Sequence, residues 1–377
     1  MFDVKRILSR SWHILWSYRV LWIFGFMLAL GVGGGNSGGN SNYSPGDRDR
    51  AMAEWRTDWQ SLHGKDAAQI LQEVFRWVGQ EVQKFQAEYP VEFSMIVAAI
   101  LAALVVILLF SLLTTFLRYV AETASIRMVD EYEQTGKKVG FRQGWRYGWS
   151  RAAWRLFLTD LLVNIPLLIL FVILGLMIWW IVTSALSGVE SSLITSLIAG
   201  IGLAFLSTFI VIVLLVILYV LRDFAWRMIA LEGMGVMDSL RNALGLVRRQ
   251  WKNVGLMWLV MLGLRILWTI VFFILILPLL IVSILTAVGG LLVAIIPSLL
   301  TAGIASLLSA PNYWPWVFAA IVGLPLFAVV AFSPILLVQG WGLIYQSSVW
   351  TLTYRELKTI EAMSISEQET PESQIGG

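Results

Sequence analysis

Few side chains inside the apolar stretches of this chain could take part in chemistry. Asp160 is the only acidic residue within such a stretch, and it lies about one helical turn past Arg155. Asn164 follows one turn later, so a carboxylate and an amide share one helix face and could orient a polar headgroup. The simpler interpretation is a structural carboxylate that a neighbouring arginine satisfies. The spacing therefore marks a candidate polar site and leaves its role open.

Arg265 is the only basic residue well inside an apolar stretch. It lies about 20 Å along a helix from Lys252, too far to reach back to the surface easily. If Asp160 and Arg265 enter the membrane on equivalent helices, their depths differ by about 15 Å, so we do not expect a direct bridge. Carbonyls freed by the glycine and proline breaks after Ile284, or a bound anion such as a lipid phosphate, would satisfy this arginine. An intramembrane arginine costs about 2.5 to 3.5 kcal/mol on insertion scales, which makes it a site candidate.

Composition limits the classes of function. The chain of 377 residues is 58% hydrophobic and 14% charged, against about 45 to 50% apolar in soluble domains. Its mean hydropathy is +0.77, and we expect an integral membrane protein. It has no Cys and only two His, which excludes disulfides, thiol catalysis and an imidazole cluster, so we expect no metal and no cofactor. A net charge of only +3 favours anionic lipid headgroups over nucleic acid as partners.

A charged helical pattern that runs into an apolar stretch occurs three times. With Val236 at offset zero, apolar residues at offsets 4, 8, 11 and 15 form one face of a helix. The same template starts at Phe141 and at Val4, although Arg19 occupies the last offset of the Val4 copy. The basic residues of each copy point away from the stripe; they are Lys5, Arg6 and Arg10, then Arg142, Arg146, Arg151 and Arg155, then Arg241, Arg248, Arg249 and Lys252.

Such a helix is typical of a membrane interface, with basic residues toward lipid phosphates and aromatic residues toward acyl chains. The alternative is an amphipathic connector that packs on the protein. The predicted interfacial lipid contacts are Arg142, Trp145, Arg146, Trp149, Arg151, Trp154, Arg155, Arg248, Arg249, Trp251 and Lys252.

The chain is predicted to be all-α and polytopic, with about six transmembrane helices. The predicted spans are 14–32, 93–117, 156–183, 192–221, 254–283 and 316–351. The stretch 284–313 has no charge but several glycines and prolines, so it could be an extra pair of spans or two half-helices; we prefer the half-helices.

Charge distribution divides the chain into regions. Residues 1–42 hold an interfacial helix, the first span and a glycine-rich linker, and 43–92 form an acidic, extracytoplasmic helical insertion that could meet a protein partner. Residues 93–355 form the bundle, with cytoplasmic amphipathic helices near 119–155 and 222–252, and 356–377 are expected to be a disordered acidic tail. Basic residues crowd alternate short loops, which predicts a bacterial inner-membrane protein with both termini in the cytoplasm.

The segment LEGMGVMDSLRNALGLVRRQWKNVGLMWLV resembles the membrane domain found in some bacterial glycerophosphodiester phosphodiesterases and in many stand-alone membrane proteins. Six residues carry the resemblance, namely Glu232, Gly233, Leu240, Ala243, Leu244 and Trp251; WSYRVLWIFG and SSVWTLTYREL are weaker matches. The resemblance implies an architecture. The catalytic domain of such fusions is soluble and separate, and nothing in this sequence corresponds to it.

Three classes of function remain. The first is a non-enzymatic bundle that organises lipid, moves an amphiphile or scaffolds a partner, because internal repeats are frequent in transporter folds. The second is a membrane-embedded enzyme acting on lipid headgroups, which would require paired carboxylates, a histidine or a metal cluster. The third is a solute permease, against which the near absence of polar residues in the spans argues. The sequence favours the first class.

Overall fold

A computed structural model describes residues 2–33, 67–186, 190–308 and 310–369. In these ranges the chain forms helices and no strands, which confirms the all-α prediction. The helices are α1 Val4–Ser17, α2 Leu21–Gly33, α3 Ala67–Glu88, α4 Pro90–Thr135, α5 Phe141–Gly148, α6 Arg151–Leu186, α7 Glu190–Glu232, α8 Val236–Arg249, α9 Trp251–Leu307, α10 Trp314–Ala331 and α11 Ser333–Glu369.

Five helices of the described chain are long and apolar enough to cross a membrane, and the bent pair α1 and α2 would make a sixth. The angle within that pair is 102°. In four of the five, at most 6% of the most apolar window is buried, so these side chains have no protein core to enter and suit a lipid environment. The predicted count of about six spans is confirmed. The five candidates are Pro90–Thr135, Arg151–Trp179, Phe205–Glu232, Trp251–Leu307 and Trp314–Ala331.

Each of the three template copies begins with a separate short helix, and a more apolar helix follows it; in the second copy the short helix ends at offset 7. These pairs are α1 with α2, α5 with α6 and α8 with α9. The long helices α4 and α7, which precede the short helices α5 and α8, also end alike. Gly136 and Gly233 follow them with φ of 68° and 70°, and each donates its amide N–H to a carbonyl of the last turn. Glycine adopts this left-handed conformation without a Cβ penalty, so it stops both helices in the same way.

The three short helices bury the same face. Offsets 3 and 7 are buried in every copy; these residues are Ile7 and Ser11, Gly144 and Gly148, and Ser239 and Ala243. Offset 8, which belongs to the predicted apolar stripe, is exposed in every copy; these residues are Trp12, Trp149 and Leu244. The packing face is therefore only partly the predicted stripe: offset 4, which is Leu8, Trp145 or Leu240, also packs against the core, and small side chains at offset 7 let the helix approach its neighbours closely.

The chain divides into two units, described separately. One comprises Met1–Asn36, Ala99–Val163 and Leu218–Gly377, and the other Ser37–Ala98 and Asn164–Ile217. In the first unit, the core gathers around three segments in which long helices continue past their apolar windows. These segments are 119–132 of α4, 220–230 of α7 and 344–357 of α11. In this unit, α2 packs on α11 so closely that a Cβ on Gly25 would lie 2.7 Å from the Gly340 carbonyl oxygen.

Two predictions about the C-terminal part are wrong. Residues 284–307 are not half-helices, because α9 continues without a break for 57 residues. Pro278 and Pro297 lie inside this helix and do not end it. At about 85 Å, α9 exceeds the roughly 30 Å hydrocarbon core of a bilayer. The predicted disordered tail is helical as far as Glu369, and 370–377 lie outside the described residues.

Candidate functional site

A polar cavity of about 200 Å³ lies in the first unit, where charged parts of four long helices meet. Its position follows from the sequence: α4 and α7 carry their charges directly after the apolar windows, with no glycine or proline to end the helix between. The lining residues are Leu28 from α2, Arg118 and Glu122 from α4, Tyr219, Arg222, Asp223, Trp226 and Arg227 from α7, Arg265 from α9, and Leu343, Gln346, Ser347 and Trp350 from α11.

Arg227 is the centre of the buried charge network, with 1% of its surface exposed. Its guanidinium donates hydrogen bonds to the carbonyl oxygens of Asp223, at 2.7 Å, and Ser347, at 3.3 Å. The same group lies 3.4 Å from the Asp223 carboxylate and 3.7 Å from that of Glu122. The Ser347 hydroxyl donates to Glu122 at 2.7 Å. The network thereby ties α4, α7 and α11 together.

Asp160 belongs to a second pair beside this network. Its carboxylate accepts a hydrogen bond of 2.6 Å from the Tyr119 hydroxyl and lies 3.3 Å from the Arg222 guanidinium. Arg222 also stacks over the Trp226 ring, 4.7 Å from its centroid. The acidic residue singled out in the sequence is thus buried and satisfied by an arginine. Asn164 is exposed one turn further along α6 and belongs to the second unit.

Arg265 finds a partner that the sequence did not suggest. It donates a hydrogen bond of 3.0 Å to the Tyr219 hydroxyl and lies over the ring of that residue, 5.0 Å from the centroid. Arg222 lies over the same ring at 5.2 Å. Tyr219 and Arg222 therefore link Arg265 to Asp160. The carbonyls expected after Ile284 belong to the continuous helix α9.

The described residues include no group of three or more His, Asp or Glu that could hold a metal ion. The cavity instead gathers guanidinium groups, indole rings and two carboxylates in a small space. Arginine's planar fork of N–H donors matches the oxygens of carboxylate and phosphate groups. Its chemistry therefore suits recognition of an anion.

The predicted interfacial residues fall into an exposed set and an engaged set. The exposed basic members that form no ion pair with a described residue are Arg142, Arg146, Arg151, Arg248 and Lys252, and the exposed aromatic members are Trp149, Trp154 and Trp251. Trp145 is only partly exposed and packs against the core.

Two of the predicted contacts are used within the protein. Arg155 donates hydrogen bonds of 2.6 Å and 3.1 Å to the carbonyl oxygens of Gly233 and Met234, where α7 ends. Arg249 is exposed but forms a 2.6 Å ion pair with Glu361. Cations at a helix C-terminus complement its free carbonyls, so Arg155 stabilises the fold.

The same region holds a polar contact of α11. The Tyr354 hydroxyl donates a hydrogen bond to the Glu232 carboxylate, and Lys358 lies 2.8 Å from that carboxylate. Burial, and then the bond to Glu232, raises the pKa of Tyr354. The phenol therefore stays neutral, and the contact fixes α11 beside the end of α7.

Sequence reasoning missed Glu122, Arg222, Asp223 and Arg227 as site residues. It assigned them to amphipathic segments because they follow the apolar runs. The signal was present in the absence of helix breakers after the spans and in the repeated pair Arg127-Met128 and Arg227-Met228. Where long helices continue past their apolar windows without a break, their charged residues come together.

The chain matches the model of a family of unknown function, DUF7544, over residues 12–349. It belongs to that family. No curated protein and no solved structure matches the chain. The family match carries no link to glycerophosphodiester phosphodiesterases.

Proposed function

We propose that this member of a family of unknown function is a non-enzymatic integral membrane protein that organises anionic lipid, or moves an amphiphile, at one face of a membrane. The observation that supports it is the shared burial pattern of α1, α5 and α8. Each buries offsets 3 and 7 against the protein and leaves a large apolar side chain exposed at offset 8, namely Trp12, Trp149 or Leu244.

This pattern suits a membrane interface for a physical reason. Transfer of an exposed tryptophan or leucine side chain out of water lowers the free energy, and tryptophan prefers the headgroup level of a membrane. Basic residues on the same short helices, such as Arg6, Arg142 and Arg248, are exposed as well. Each Lys or Arg near an anionic surface contributes roughly 1 kcal/mol. The three helices together offer an anionic leaflet both apolar and electrostatic contacts.

The proposal includes an orientation. Basic residues crowd the ends of the long helices at which the three short helices begin, which favours the cytoplasmic face of a bacterial inner membrane, with both termini in the cytoplasm. The likeness of α8 and the start of α9 to the membrane domain of some glycerophosphodiester phosphodiesterases concerns this architecture. This likeness is no argument for catalysis. We propose no nucleic-acid partner.

The experiment compares lipids that purify with the protein. Four exposed arginines, Arg142, Arg146, Arg151 and Arg248, are replaced together by Gln. Arg155 is left intact because it holds the end of α7. Phosphatidylglycerol should lose its enrichment over phosphatidylethanolamine around the variant.

The control removes two exposed cations from α3, Arg76 and Lys84, and should leave the lipid profile unchanged. Equal enrichment around the parent and the fourfold variant would overturn the proposal. Liposomes that contain the purified protein separate the other classes. Movement of fluorescent lipid supports an amphiphile mover, solute leak would indicate a permease, and headgroup turnover would indicate an enzyme.

A further inference from the structure

We propose that the cavity between α4, α7, α9 and α11 binds a phosphate group, carried either by a lipid headgroup or by free phosphate. This inference goes beyond the proposed function, because the cavity is a discrete site and does not depend on the exposed faces of α1, α5 and α8. Its basis is the charge of the lining, the unpaired donors within it, and its size.

The lining carries more positive than negative charge. Arg118, Arg222, Arg227 and Arg265 line the cavity together with only two carboxylates. Of the four, Arg222 and Arg227 lie within ion-pair distance of carboxylates. An anion that enters the cavity would meet the other two guanidinium groups.

Arg118 and Arg265 have no carboxylate within ion-pair distance among the described residues. Arg118 lies 5.7 Å from the centroid of the Tyr119 ring, and Arg265 contacts the ring and hydroxyl of Tyr219. A tyrosine face or hydroxyl offers a cation only partial compensation. At the edge of an apolar span, an unneutralised arginine is costly and marks a binding site by default.

Three of the buried N–H groups of the lining that lack an acceptor lie on α7. They are Nε of Arg222, Nε of Arg227 and Nε1 of Trp226. The Asp223 carboxylate lies 4.0 Å from Arg222 Nε, which is too long for a hydrogen bond. Trp226 and Arg227 are 4% and 1% exposed, so solvent satisfies neither. Since all three groups are donors, their complement is an acceptor with several oxygens.

A phosphate group meets these conditions better than a carboxylate does. Its oxygens point in tetrahedral directions and accept from donors on several helices at once, and arginine binds it in a bidentate way. A cavity of about 200 Å³ holds a headgroup but no folded partner. Leu28 and Leu343 line it beside the arginines, so an attached acyl chain would find an apolar neighbour.

The test removes the two cations that have no carboxylate partner. Delipidated protein in uncharged detergent is titrated calorimetrically with inorganic phosphate, with chloride at equal ionic strength as reference. Arg118→Gln and Arg265→Gln should each weaken phosphate binding about tenfold to a hundredfold, the effect of losing a charged hydrogen bond. Arg76→Gln removes an exposed arginine outside the cavity and should bind like the parent.

A second arm identifies the source of the phosphate. The same proteins are placed in nanodiscs of phosphatidylcholine with or without phosphatidylglycerol, and bound lipid is counted by native mass spectrometry. Retention of phosphatidylglycerol that both Gln variants lose assigns a lipid headgroup, whereas calorimetric binding alone assigns free phosphate. Either result supports the site.

The site is refuted if the parent binds neither probe more tightly than the Arg118→Gln, Arg265→Gln double variant does, or if Arg76→Gln is equally impaired. Thermal unfolding without phosphate shows whether the variants fold. If they do not, Arg265→Lys is titrated in their place. It keeps the charge but loses the planar fork, so it should bind phosphate more weakly, and an affinity equal to that of the parent would also overturn the assignment.

Discussion

Replacing Arg227 by Met should destabilise the protein more than any other single change in the cavity. The side chain is 1% exposed, so the guanidinium has almost no water to return to. Met keeps the apolar stem but removes the hydrogen bonds to the Asp223 and Ser347 carbonyls and both ion pairs. The carboxylates of Glu122 and Asp223 then remain buried without this cation. Removing one partner of a buried ion pair costs about 3 to 5 kcal/mol, and we expect that loss here.

The assay is reversible unfolding in mixed micelles, in which the denaturing detergent is increased stepwise and helix content is followed. A triple variant that also carries Glu122→Gln and Asp223→Asn is the control. It removes the stranded charges and should recover much of the loss, since neutral replacement of a whole buried ion network is often tolerated. A loss below about 1 kcal/mol for Arg227→Met, or a triple variant no more stable than the single one, would refute the reasoning.

Two further predictions test other parts of the structure. Gly340→Ala would place a methyl group 2.6 Å from the Gly25 carbonyl oxygen and should destabilise the protein by about 1 to 3 kcal/mol. The control Gly255→Ala, whose methyl group would meet open space, should be neutral or stabilising. Equal effects of the two substitutions on stability would refute the close contact between α2 and α11. Because the chain has no Cys, single cysteines that replace the exposed residues Gln80 and Gln143 report topology. In intact cells an impermeant thiol reagent should label the cysteine at position 80, and it should label the one at position 143 only after lysis. The reverse pattern would overturn the proposed orientation.

The sequence predicted the helical class, the number of spans and the three short helices, because hydrophobic periodicity and length determine each of them. The breaks before Leu21 and Trp251 fall where the charged pattern changes into the apolar one, whereas the break before Arg151 falls inside the second copy, so that Arg151 and Arg155 begin α6. Helix bounds were less accurate in the C-terminal part. The glycines and prolines of 284–307 suggested breaks, but two helical neighbours, α10 and α11, pack on α9 and keep it continuous.

The polar cavity was predicted only in part. Asp160 and Arg265 stand out because each is a charge within an apolar run. Their partners, Arg222 and Tyr219, lie on another helix, and single-sequence periodicity does not show which helices meet. The sequence left the orientation of the short helices open for a similar reason. Periodicity finds an apolar stripe, but the stripe faces lipid or protein according to where small residues such as Gly148 permit close packing.

The most direct test of the proposed function is the membrane depth of the three short helices. Single cysteines replace the exposed offset-8 residues Trp12, Trp149 and Leu244, and a spin label on each is measured in liposomes that contain phosphatidylglycerol. The proposal predicts that all three labels lie at one shallow depth, just below the lipid phosphates, with more contact with oxygen than with a water-soluble nickel chelate. Labels at clearly different depths, or labels as open to nickel as a free loop, would contradict it.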